Sequence, residues 1–376
     1  MKKKVMCLLF LAALILPTIS WLFVRKAVNS GNQEKREYAA FPEISAANYR
    51  NIPSGLESWF NDRLPYKNQL VAMNSGIKAA TRLQSNWMDY IGGVGVIFGK
   101  DNWLFYNGNT AESTINDYIG NNLYTEARLK EIAAGYQKLA DQYAAEGIEF
   151  ILFIPTNKEQ VYPEFMPDEL VPISPISRTD QLVAYLKEHT TVRVLYAKDE
   201  LIAHKSPDYN LYYKYDSHWN TVAAFIGAQM IRRELTGEYT DLSEVTVFFN
   251  DKVDDPRDLA VLYGLGDQYN EHGAWDVTGY KMDVTGGFTT ENPTAEAEFM
   301  GFSSTAEDER ELVIIKDSFV FNMIGTLARD FQTLTMINDS KTAKDYIAKN
   351  HPDVVILEIV ERHFYRAEHQ WEELLD

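Results

Sequence analysis

The order of apolar and polar positions divides the chain into three stretches. Residues 5–24 form a nearly unbroken apolar run, preceded by Lys2, Lys3 and Lys4 and followed by Arg25 and Lys26. About 20 such residues is the length a helix needs to cross a bilayer. Pro17 is tolerated in such a helix. No small-residue cleavage pattern closes the run, so residues 1–26 read as a signal anchor with the lysines inside and the body outside. A cleaved signal peptide is the alternative, and under either reading the body is exported. Residues 27–95 read as a polar stalk followed, from 51, by one or two amphipathic helices carrying Trp59, Phe60, Leu64, Leu70, Val71, Met73 and Ile77.

The third stretch, 96–376, has a different rhythm. Ile97, Phe98, Trp103 and Leu104 flank a turn at 99–102 and predict a hairpin. Leu129, Ile132, Tyr136, Leu139 and Tyr143 recur at helical spacing after a capping Thr125, and Gly147 ends that helix. Short apolar, β-branched runs at 149–154, 191–196, 312–315, 333–337 and 353–359 predict strands. Helices are predicted between them at 179–189, 220–235, 318–328 and 341–349. Continuous apolar strands alternating with helices imply a mostly parallel sheet covered on both faces, a three-layer α/β/α domain. In such sheets ligands gather at the carboxyl ends of the strands. Residues 240–310, rich in Asp, Gly and Thr, break the alternation and read as an insertion or long loop region over that edge.

Composition narrows the function. The formal net charge of -18 disfavours a nucleic-acid partner, which requires a basic face. The single cysteine, Cys7, lies in the N-terminal apolar run, so no disulfide within the chain and no cysteine zinc site is expected. No cofactor and no metal is predicted. Asp251, Asp254, Asp255 and Asp258 form an acidic run whose spacing fits no EF-hand, and it reads as a solvated loop.

Two segments carry candidate chemistry. In Tyr215-Asp216-Ser217-His218-Trp219-Asn220, an acid and an imidazole two residues apart stand at a helix mouth. A carboxylate so placed can fix the histidine tautomer and stabilise its imidazolium. The alternative is a structural histidine at a helix start. In Leu312-Val313-Ile314-Ile315-Lys316-Asp317-Ser318-Phe319, a buried strand delivers Ser318 to the start of a helix. Backbone N–H groups there can stabilise an oxyanion, as at a nucleophile elbow without its usual glycines. The alternative is a serine helix cap. Together the segments place Asp216, His218 and Ser318 at one edge of one sheet.

At these residues the sequence resembles the DHHW family and the AlgJ/AlgX alginate O-acetyltransferase group, which have SGNH-hydrolase-like domains. The Asp216-Ser217-His218-Trp219 run is similar to the DHHW signature. Gly99-Lys100-Asp101-Asn102-Trp103-Leu104-Phe105, Pro155-Thr156-Asn157-Lys158 with Tyr162-Pro163-Glu164, Arg257-Asp258-Leu259, Lys316-Asp317-Ser318-Phe319 and Pro352-Asp353-Val354-Val355 resemble further group motifs in the same order. Ser217 stands where the signature has histidine, and Asn102 and Arg257 stand where glycine is usual.

The resemblance implies Ser318 as nucleophile, His218 as general base and Asp216 as its orienting partner, in the permuted order Asp, His, Ser. It implies O-acyl, in particular O-acetyl, transfer to a cell-envelope or secreted polysaccharide. A glycan O-acetyl esterase and a non-catalytic envelope or polysaccharide assembly protein are the alternatives. A membrane-bound O-acyltransferase as acyl supplier is implied on the same ground. Lys158 and Asn322 are candidates for oxyanion or substrate contacts. Trp219 is a candidate sugar platform, with burial beneath the site as the alternative.

Overall fold

The computed structural model describes residues 15, 19, 38–42, 44, 52–63, 95–108, 112, 114–253, 257–262, 269, 271–291, 293 and 297–375. It divides into two compact units, residues 1–83 with 260–269 and residues 84–259 with 270–376. The first carries helix α1 (Ile52–Asn61). Just beyond that helix, the Asp62 carboxylate accepts the Ala39 N–H at 2.7 Å, and Phe41 meets the Trp59 ring edge-on at 5.1 Å.

The expected transmembrane helix requires correction. Among the described residues no helix is long and apolar enough to cross a membrane. The longest helix given below has the length, but Glu126, Arg128, Lys130, Glu131, Lys138 and Asp141 interrupt its apolar positions. Charge at that density is incompatible with hydrocarbon. Residues 5–24 lie, apart from 15 and 19, outside the described residues. The N-terminal anchor, the membrane as a partner reached through it and the membrane-anchored localisation therefore have no support among the described residues.

The second unit opens with an antiparallel hairpin, β1 (Gly95–Phe98) and β2 (Leu104–Asn107). Asp101 and Asn102 turn it with φ of 51° and 62°. Asparagine tolerates this left-handed conformation better than most residues, so the turn forms without the glycine. Helix α2 (Glu126–Ala145) is capped by Thr125, whose side chain accepts the Arg128 N–H. Then come β3 (Glu149–Ile154), α3 (Arg178–His189), β4 (Arg193–Tyr196) and α4 (Thr221–Thr236). The segment from 240 to 310, expected as an insertion or long loop region, contains strands among its described residues. β5 (Thr246–Asn250) and β6 (Ala274–Thr278) make a separate antiparallel pair. β7 (Gly286–Phe288) and β8 (Phe299–Ser304) join the main sheet. The chain continues through β9 (Asp308–Ile315), α5 (Ile324–Asp330), β10 (Phe331–Ile337), α6 (Ser340–Asn350) and β11 (Val354–Glu358), and short helical turns over 361–374 follow.

The main sheet has the order β4-β3-β11-β9-β10-β8-β7. The first five strands are parallel, and β8 and β7 add antiparallel pairs at the far edge. The period of two along each strand sends side chains to opposite faces. Ile151, Phe153, Ile314 and Ile356 face the layer containing α4. Leu152, Ile154, Val313, Ile315 and Leu357 face α2, α3 and α6. Both faces are thus dry, and the three-layer α/β/α architecture follows. From β3 the chain moves outward to β4; from β9 it moves the other way to β10. β11 returns to the gap between β3 and β9, and this reversal opens a crevice at their carboxyl ends.

Candidate active site

Three strand ends build that crevice. β3 runs on into Pro155–Lys158, β9 into Lys316–Ser318 and β11 into Ile359–Arg362. The buried Glu361 carboxylate ties the first and third together, accepting from the Thr156 hydroxyl at 2.7 Å and the Asn157 N–H at 2.9 Å. Asp317 ties the second to the third, accepting the Phe319 N–H at 2.9 Å and the Val360 N–H at 2.7 Å. Asp317, and not Ser318, is therefore the cap of the helical turn Ser318–Met323. This leaves the Ser318 hydroxyl free of capping. It also commits the Phe319 N–H, one of the donors expected at that helix start.

The loop between Leu211 and Asn220 is closed on itself. The Asn220 N–H donates to the Leu211 carbonyl at 3.0 Å, and Tyr212 bridges to Trp219 in antiparallel fashion. Asp216, Ser217 and His218 form its tip. The Asn220 side chain then caps α4, accepting from Val222 N–H at 3.0 Å and Ala223 N–H at 3.3 Å. Below the tip, Trp219 is fully buried and donates Nε1–H to the Phe319 carbonyl at 2.9 Å. It links the loop to the serine turn from beneath and offers no face to a sugar.

The structure brings Asp216, His218 and Ser318 together. The His218 Nδ1 lies 2.7 Å from Asp216 Oδ1, and Nε2 lies 2.7 Å from Ser318 Oγ. Both are hydrogen-bond lengths. The Asp216 carboxylate also accepts the His218 backbone N–H at 2.9 Å and, through Oδ2, the Asp258 N–H at 2.9 Å. Asp216 is buried, while His218 and Ser318 reach the surface. Burial lowers the basicity of His218, but the Asp216 and Asp258 carboxylates more than reverse this and raise its pKa from 6.5 to about 9.

Lys158 and Asn322 both hydrogen-bond to the loop that carries Asp216 and His218. Lys158 is buried. Its Nζ donates to the carbonyls of Tyr213 at 3.1 Å, Lys214 at 3.2 Å and Asp216 at 2.7 Å. Its three hydrogens clamp the loop that carries Asp216, which leaves none for an oxyanion. Asn322 donates its amide to the Trp219 carbonyl at 2.9 Å and also lines a cleft of about 230 Å³ with Thr221, Tyr280 and Arg329.

Two residues at the site have no role assigned by the sequence reading. Asp258 is not in a solvated loop. Its Oδ1 accepts the Ser217 N–H at 2.6 Å, its Oδ2 accepts the Ser217 hydroxyl, and the same Oδ2 lies 3.3 Å from His218 Nδ1. Arg362 is buried between the rings of Tyr106 and Phe319, at 5.2 and 5.0 Å from their centroids, and its Nη1 lies 3.4 Å from the Ser217 carbonyl. The Arg257-Asp258-Leu259 motif is the signal that marks Asp258; no sequence pattern marks Arg362. At the neighbouring departure from the group pattern, Arg257 stacks 4.0 Å from the Tyr213 ring centroid and donates to the Gly273 carbonyl at 2.8 Å. Asp216, His218 and Asp258 also place one potential ligand atom each within 4.8 Å of one another. Those atoms are already engaged with each other and with Ser217.

No curated protein matches the sequence. Among solved structures, Bacillus cereus PatB1 with a sulfonyl adduct is 16% identical, over 72% of this chain and 95% of that one, at a TM-score of 0.51, and shares the fold. A DHHW family protein from Eubacterium siraeum is 12% identical over 75% of this chain and 99% of that one, at a TM-score of 0.49. A family model described as SGNH hydrolase-like domain, acetyltransferase AlgX, matches residues 96–360, well over half of the sequence. The chain belongs to this family of SGNH-hydrolase-like acetyltransferase domains.

Proposed function

We propose that the protein transfers an O-acyl group, in particular O-acetyl, through Ser318 to a hydroxyl of a cell-envelope or secreted polysaccharide. The observation that carries this reading is the 2.7 Å separation of Ser318 Oγ from His218 Nε2. Ser318 Oγ attacks the acyl carbonyl and its proton passes to His218 Nε2. Asp216 at Nδ1 holds the ring and balances the imidazolium. Collapse of the tetrahedral species returns that proton to the departing group and leaves the acyl on Ser318. The acceptor hydroxyl then gives its proton to His218 and takes the acyl, and Ser318 recovers its hydrogen. Lys158 contributes by fixing the carbonyls of the Asp216 loop.

The same geometry serves ester hydrolysis when water replaces the acceptor. The family assignment favours transfer. The test is turnover of p-nitrophenyl acetate by the full chain and by Ser318→Ala, with and without acetyl-acceptor oligosaccharides. Loss of turnover in Ser318→Ala and oligosaccharides gaining 42 Da in the parent are expected. Equal rates would sink the serine mechanism. Release of acetate alone, at every oligosaccharide concentration, would replace transfer by hydrolysis.

A further inference from the structure

We infer that Asp258 is a second positioning carboxylate of this site, facing Nδ1 of His218 alongside Asp216. Its Oδ2 is 3.3 Å from Nδ1, against 2.7 Å for Asp216 Oδ1. Asp216 is the hydrogen-bond acceptor at this nitrogen, and Asp258 stands beside it as a second anion within ion-pair distance. Asp258 is itself held in place. It accepts both the N–H and the hydroxyl of Ser217, and its backbone N–H is bound by Asp216 Oδ2 at 2.9 Å. Asp216 thus anchors the Asp258 backbone and Ser217 anchors the Asp258 carboxylate, so both acids are held around one imidazole. Ser217, in place of the histidine of the DHHW signature, supplies the hydroxyl that orients Asp258.

Two anions at one ring nitrogen favour the imidazolium over the neutral base. The other charged groups around this cluster are Lys158 from the end of β3, Arg362 from the end of β11, Glu271 ahead of β6 and Asp317 beneath Ser318. Lys158 and Arg362 oppose the effect. Lys158 is committed to carbonyls, Asp317 to the N–H groups of Phe319 and Val360, and Glu271 to the Lys214 N–H. The consequence is a trade. His218 becomes a stronger base for the Ser318 proton, and a smaller fraction of it is neutral at pH 7. Activity should rise with pH through the titration of His218.

This assignment rests on the acyl-transfer reading only for its catalytic consequence, so the test has two readouts. The first is the pH profile of kcat/KM for p-nitrophenyl acetate in the parent, Asp258→Asn and Asp258→Glu. The second is an NMR titration of the His218 ring in the full chain, assigned by loss of its signal in His218→Gln. In Asp258→Asn the acid limb and the ring titration should both move down by about one pH unit or more, a tenfold rise in neutral imidazole at low pH. The activity ratio of variant to parent should therefore climb as pH falls, and Asp258→Glu should recover part of the parental profile. A ring titration unchanged in Asp258→Asn would overturn the assignment. If Ser318→Ala turns over the ester like the parent, the acyl-transfer reading fails and the ring titration still decides the role of Asp258.

Discussion

Replacing Lys158 by methionine separates stability from catalysis at this site. The ammonium is buried, spends three hydrogens on the carbonyls of Tyr213, Lys214 and Asp216, and lies 5.5 and 5.2 Å from the ring centroids of Trp103 and Phe105. Burial lowers its pKa from 10.5 to about 8, against the pull of Asp216, Asp258 and Glu271. A fall of that size means that keeping the charge costs the folded state about 3 kcal/mol. The folded-state pKa is the lower one, so this cost is present in full below pH 8. It is relieved as pH rises from 8 to 10.5, and stability increases over that window.

Methionine fills the volume of the lysine stem and removes the cost. It also strands three carbonyls at about 1 kcal/mol or more each. The two effects nearly cancel, and the net change in unfolding free energy should stay within about 2 kcal/mol. Position is not compensated. The Asp216 carbonyl loses its 2.7 Å anchor, and a displacement of about 1 Å in a catalytic group can cost on the order of 100-fold in rate. Urea unfolding at pH 7 and at pH 10, followed by tryptophan fluorescence, gives the first quantity; ester turnover gives the second. The expected variant has near-parental stability at pH 7, no stability gain between pH 8 and 10 from this residue, and kcat reduced by about 10- to 100-fold. Parental kcat, or a loss beyond about 5 kcal/mol, would refute the reasoning.

Two further substitutions probe the supports of the site by denaturant unfolding. Asn220→Ala removes the α4 cap and the donation to the Asn210 carbonyl at 2.6 Å; a loss of about 1–2 kcal/mol is expected, and an unchanged midpoint would count against the cap. Gly227→Ala places a Cβ 2.9 Å from the Trp219 ring and 3.1 Å from Phe153. Overpacking there should cost about 1–3 kcal/mol, and a neutral result would show that Trp219 has room to yield.

Some of this molecule is legible one segment at a time. The strand at 149–154 is readable because both of its faces are covered, so every position from Phe150 to Ile154 is apolar. The helix start at Asn220 is readable because a capping side chain acts within three residues. The serine turn is less so. Ser318 and Asp317 are both good caps by type, and only the Val360 N–H on the neighbouring strand end, 2.7 Å from Asp317 Oδ2, decides which of them caps. The strands β7 and β8 are hidden because edge pairings depend on a partner strand more than on their own residues.

By itself the sequence determined the alternation of strands and helices, the both-faces-buried sheet and the pairing of an Asp-x-His loop with a strand-end serine. These follow from periodicity, capping and chain order, which are local. The tertiary structure alone decided that Lys158 points inward to the loop carbonyls, that Trp219 lies under the site, and that Asp258 and Arg362 approach His218 and Ser217 from distant segments. A lysine is exposed or buried, and an aspartate solvated or bound, according to what the rest of the chain places beside it. Asp258 is 40 residues from His218 in sequence and 3.3 Å away in space, and no local pattern encodes that distance.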